Sequence, residues 1–67
     1  MEVKNQTYLR KLNQRAVMAL LRKESALSYT DIARALKLSN TAISKICDEL
    51  IEKNILIRTS HAAKMLG

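Results

Sequence analysis

Sixty-seven residues, with 12 Lys and Arg against 6 Asp and Glu and a net charge of +6, describe one small basic domain. A chain this short buries only about 60% of its unfolded surface, so its core is marginal and there is little room for a catalytic cleft between domains. A single cysteine, Cys47, and a single histidine, His61, exclude an internal disulfide framework and the usual four-ligand zinc site.

The charge is unevenly spread. Residues 1–23 carry Lys4, Arg10, Lys11, Arg15, Arg22 and Lys23 against Glu2 alone. Residues 24–53 hold Arg34, Lys37, Lys45 and Lys53 against five acids, and the tail adds Arg58 and Lys64. A basic surplus of this kind favours a polyanionic partner, because neutralising phosphates releases counterions. No apolar run of 18 residues and no signal-peptide pattern is present. The expectation is a cytoplasmic protein without a membrane partner.

The first helical pattern spans about Thr7 to Lys23. Tyr8, Leu9, Leu12, Ala16, Val17, Ala19, Leu20 and Leu21 recur at helical spacing, with bases between them. Asn13 can cap a fresh start at Gln14, which would leave residues 1–12 as a basic arm or a first helical turn. Glu24-Ser25-Ala26 ends the helix, and Leu27 is expected to pair as a one-residue strand.

The second helix starts at Tyr29. Ser28 and Asp31 have the spacing of an N-cap and its N3 acid. The helix runs to about Lys37, which stands where the turn calls for a left-handed residue, at a cost of roughly 1 kcal/mol for a residue other than glycine. Ser39 then caps a third helix reaching about Lys53, with Ile43, Ile46, Cys47, Leu50 and Ile51 on its apolar side. Cys47 on this stripe reads as a buried small hydrophobe. Thr41, Ser44, Lys45, Asp48 and Glu52 form the opposite face. Asn54 suits the left-handed position after the last turn.

Ile55 to Thr59 is rich in β-branched residues and reads as a strand. Ala62-Ala63-Lys64-Met65-Leu66 forms strands poorly. Any wing over residues 55–67 is therefore expected to be short, unfinished or replaced by a terminal helical turn. The fold class is mainly α: a single domain over residues 1–67, with three helices in a winged helix-turn-helix and a short or incomplete β wing.

Two short helices joined by a tight link, residues 28–53, have the layout of a helix-turn-helix. Its second helix must bury one side and offer short side chains with donors and acceptors on the other. Ser39, Asn40, Thr41, Ser44 and Lys45 meet that demand as base-reading candidates. Asn40 can pair bidentately with adenine, Lys45 can reach a guanine or a phosphate, and Thr41 offers a methyl to thymine. Asp48, Glu49 and Glu52 would repel phosphates, so the N-terminal end of the helix points in. Glu49 and Lys53 have i,i+4 pairing distance. Phosphate anchoring falls to Arg15, Tyr29, Thr30, Arg34, Lys37 and Arg58.

No enzyme signature is present: no glycine-rich phosphate loop, no nucleophile elbow and no histidine placed as a base. No catalytic residue, cofactor or metal site is expected.

Leu12-Asn13-x-Arg15 through Ile57, 46 residues, resembles the N-terminal DNA-binding region of the ROK (repressor, open reading frame, kinase) family of bacterial transcription regulators. The resemblance implies a winged helix whose third helix enters the major groove of double-stranded DNA. It also implies a role in transcription control, as a repressor, with Ser39, Asn40, Thr41, Ser44 and Lys45 at the reading positions. The chain departs from the family pattern in several places. Ser25-Ala26 stands for Gly-Pro, Tyr29 for a common Arg, and Lys37 and Asn54 for turn glycines. Thr41-Ala42 inverts the common Ala-Thr order, so the family's target sequence is not carried over. In such regulators a sugar-kinase-like domain follows and binds the effector, and no effector site is assigned to residues 1–67. A homodimer through the N-terminal arm or the C-terminal tail would suit a two-fold operator. Two other readings use the same scaffold: a protein-interaction module, motivated by the acids of the third helix and the Ile55-Leu56-Ile57 run, and a non-specific architectural DNA binder.

Overall fold

Among the described residues, four other than glycine adopt positive φ, and each marks a place where the chain changes direction: Ser25 (72°), Lys37 (58°), Asn54 (63°) and Ser60 (54°). Each costs of order 1 kcal/mol, so each must be held by its surroundings. In the computed structural model, which describes the backbone of residues 2–60 and 62–66 and the side chains of residues 7–60 and 62–66, that hold is visible.

After α2 (Tyr29–Leu36), the N–H of Lys37 donates to the Arg34 carbonyl and that of Leu38 to the Ala33 carbonyl. After α3 (Asn40–Glu52), Asn54 donates to Ile51 and Ile55 to Leu50, both at 2.9 Å. Both pairs of bonds are the Schellman arrangement, and in both the next residue, Leu38 or Ile55, packs on the core. The left-handed turn is thus paid back by two satisfied carbonyls and an apolar contact. Lys37 and Asn54 take the backbone states that their positions in the sequence suggest.

The remaining elements are α1 (Glu2–Glu24), β1 (Ala26–Ser28), β2 (Leu56–Thr59) and β3 (Ala62–Met65). The three strands form one antiparallel sheet in the order β1-β3-β2. Leu27 opposes Ala63 on one side, and Arg58 opposes Ala63 on the other. The core draws Val17 and Leu21 from α1, Ile32 and Ala33 from α2, and Ile43, Ile46, Cys47 and Leu50 from α3. Leu56 and Ala63 close it from the sheet. The fold is mainly α, 66% helical, with the small sheet expected of a winged helix-turn-helix.

Two expectations need correction, and a third narrows to one outcome. First, α1 is one continuous helix, with no break at Asn13 and no separate arm. Asn13 lies in a groove beside α3 instead of capping a new start, and neighbouring residues bond to that helix. Second, β1 has three residues, not Leu27 alone. Third, of the outcomes expected for the wing the short one holds: Ala62–Met65 is a four-residue strand, and the middle one, so the wing is neither unfinished nor replaced by a helical turn. Its small residues are what that place needs, because Ala63 is fully buried against the helices and a larger side chain there would overfill the core. Ser60 in the left-handed region turns the hairpin between Thr59 and Ala62, which oppose each other. The side chain of His61 lies outside the described residues, as do those of residues 1–6, including Lys4 of the expected arm.

Candidate nucleic-acid interface

Two serines build the helix-turn-helix. Ser28 Oγ accepts from the Asp31 N–H and Ser39 Oγ from the Ala42 N–H, each at 3.0 Å. These bonds satisfy one orphan donor at each helix start and fix the direction of each helix. Asp31 does not complete a reciprocal box; its carboxylate lies 3.5 Å from Arg34 one turn on.

Burial sets the orientation of α3. Ile43, Ile46, Cys47 and Leu50 are buried, while Asn40, Thr41 and Lys45 are exposed and Ser44 is half-buried. Asn40, Thr41, Ser44 and Lys45 therefore share the open side of the first two turns. Ser39 is exposed beside them; the cap bond takes one lone pair of its oxygen, which leaves its proton and one lone pair to offer.

A second group gathers where α2 begins. Ser28, Tyr29, Thr30, Arg58 and Ser60 line a shallow cleft between the α2 N-terminus and the β2–β3 hairpin. The Arg58 guanidinium sits over the Tyr29 ring, 5.6 Å from its centroid. The Tyr29 hydroxyl is buried and has no hydrogen-bond partner among the described residues. Burial raises its pKa first of all and Cys47 adds to that, Arg58 opposes the rise, and Asp48 adds a smaller push upward. This placement does not favour the hydroxyl as a phosphate donor. Thr30 and Arg58 remain exposed in the cleft.

A family model described as winged helix-turn-helix DNA-binding matches residues 10–57 of the chain. The chain belongs to this winged helix-turn-helix DNA-binding family. No curated protein and no solved structure matches it.

The winged helix-turn-helix domain thus carries a DNA-binding scaffold of the kind found in regulators, with α3 as its second helix. The structure does not bring all the phosphate candidates together. Arg34 and Lys37 are exposed on α2 and its turn. Arg15 is exposed on α1, whose side toward α3 is formed by Leu9, Arg10, Asn13 and Gln14.

The acids also behave differently from expectation. Glu49 does not pair with Lys53. Gln14 Nε2 donates to its Oε1 at 2.8 Å, and Arg10 Nη1 lies 3.4 Å from its Oε2. Sequence reading missed Arg10 and Gln14. Their only local signal is i,i+4 spacing on α1, and nothing in the sequence names the partner 35 residues away.

Cys47 is fully buried, and its thiol is pushed up to about 11, first by burial and then by Asp48. No group of three or more His, Cys, Asp or Glu that could hold a metal ion occurs among the described residues. No helix among them is long and apolar enough to cross a membrane.

Proposed function

We propose that residues 1–67 act as one sequence-specific binding domain for double-stranded DNA, reading the major groove with α3 as part of a bacterial, cytoplasmic transcriptional regulator, a repressor of the ROK type. The observation that carries this reading is the exposed set Asn40, Thr41 and Lys45 on the first turns of a capped helix whose other side is buried. Ser44 and the Ser39 hydroxyl complete the base-reading set. Thr30, Arg34, Lys37 and Arg58 are assigned to flanking phosphates, together with the backbone N–H groups at Tyr29 and Thr30. Arg15 would reach a phosphate only where the duplex extends along α1.

Selection of preferred duplexes from genomic fragments tests the proposal. Asn40→Ala and Lys45→Ala are each expected to cost about 1–3 kcal/mol on the selected duplex and to relax preference at one position. Recovery of no preferred sequence at low salt would overturn it and leave non-specific architectural binding.

One observation favours a second reading, a protein-interaction surface. Tyr8 and Leu9 on α1 and Leu66 after β3 are 64%, 54% and 51% exposed. We assign Tyr8, Leu9 and the partly exposed Leu12 to a homodimer contact, which would present two reading helices to a two-fold operator.

A further inference from the structure

We propose that Arg10 and Gln14 are positioning residues for DNA binding, holding the Glu49 carboxylate against α1 so that Lys45 stays free to meet a base. The inference rests on the reading above that Lys45 faces base edges.

Glu49 sits one turn after Lys45 and one turn before Lys53 on α3. On an isolated helix a glutamate so placed pairs with a lysine at i,i+4. In the folded domain both of its oxygens are engaged from another element. Gln14 takes Oε1 in a short, part-buried bond, and Arg10 brings its charge to Oε2. Arg10 and Gln14 are themselves one turn apart, so α1 presents them as a pair.

The location gives this pairing a consequence for binding. Leu9, Arg10 and Asn13 from α1 and Ala42, Lys45 and Glu49 from α3 border one groove. Lys45 is exposed, and no carboxylate among the described residues lies within ion-pair distance of it. Without donors from α1, Glu49 would be an unneutralised carboxylate beside the reading lysine. It would compete with DNA for the Lys45 ammonium and repel approaching phosphates. Removing Glu49 itself should make the donors dispensable, which distinguishes this role from a direct phosphate contact by Arg10.

The test is competition binding to the selected duplex and to the same duplex with single base-pair changes. Four proteins are compared: the native chain, the double variant Arg10→Ala with Gln14→Ala, Glu49→Gln, and all three changes together. The double variant is expected to bind the selected duplex roughly two- to tenfold more weakly, the lower part of the span of side-chain couplings between neighbours, and to discriminate less sharply. Glu49→Gln should bind and discriminate like the native chain, and the triple variant should match Glu49→Gln. Two results overturn the inference. One is a double variant indistinguishable from the native chain. The other is a triple variant weaker than Glu49→Gln by the same factor as the double variant is weaker than native. If the double variant does not fold in a urea titration, Gln14→Ala alone carries the same comparison, because it keeps the charge of Arg10. Should Lys45→Ala leave discrimination unchanged, the reading underneath fails as well, and that result is separate from the other two.

Discussion

Tyr29 stands at the first position of α2 with its ring under Arg58 and its hydroxyl buried without a partner. A buried donor left unmade is costly, and removing it is nearly neutral or stabilising. Tyr29→Phe is therefore expected to leave stability unchanged or raise it by up to about 1 kcal/mol in urea unfolding, with DNA affinity unaltered. A tenfold loss of affinity would instead show the hydroxyl at work on a phosphate. Cys47 gives a pH signature. Its folded thiol titrates near 11 and its reference value is 9.0. The raised value means that its contribution to stability is complete below pH 9 and is lost as pH rises toward 11. The slope between those values is up to about 1.4 kcal/mol per pH unit, because the unfolded chain loses the proton first. Urea midpoints measured from pH 8 to 11 should fall more steeply for the native chain than for Cys47→Ala. Parallel curves would contradict the burial of the thiol.

At the scale of elements, what is local was legible and what is distant was not. Ser28 and Ser39 announced their helices because a cap acts within three residues. Lys37 and Asn54 could be placed because a helix end needs a left-handed residue wherever the apolar pattern stops. The strand over Ala62–Met65 was left open because alanine has weak strand preference, and here the demand comes from outside the segment. Two strands flank it and the helices leave room only for a methyl group at Ala63. The bond from Gln14 to Glu49 escaped for the same reason: it depends on how α1 lies beside α3, not on spacing along either helix. The exposed face of α3 was visible through its contrast with the apolar stripe, and Ser39 was legible as its cap. The middle strand yields a paired prediction. Ala63→Val should overfill the core and cost about 1–3 kcal/mol. That is a drop of roughly 4–24 °C in melting temperature for a domain of this size. Ala62→Val, on the half-exposed outer side, should be neutral or mildly stabilising.

For the whole molecule, α1 is the longest element, about 34 Å at 1.5 Å per residue, nearly the 37 Å long axis. Its second half enters the core through Val17 and Leu21, while its first half carries the exposed Tyr8, Leu9 and Leu12. A dimer built on that surface would double the phosphate contacts and steepen the salt dependence of binding. Sedimentation of the free chain should reveal self-association that Leu12→Asp abolishes, and DNA binding by that variant should keep only the shallower slope of a single copy. A native chain that sediments as a monomer up to the highest concentration reached would remove the dimer contact and leave the single-copy interface in place.

The middle place of β3 also bears on biosynthesis. Residues 62–65 supply the pairing for both β1 and β2, so neither outer strand has its partner until that segment has left the ribosome. At about 5–20 residues per second the wait after α3 is short. Yet Leu27 and Leu56 lack the ladder that shelters them until Met65 emerges. The nascent helices can collapse together first, but the sheet cannot close before that segment emerges, and a stop codon before residue 62 would forfeit all of it at once.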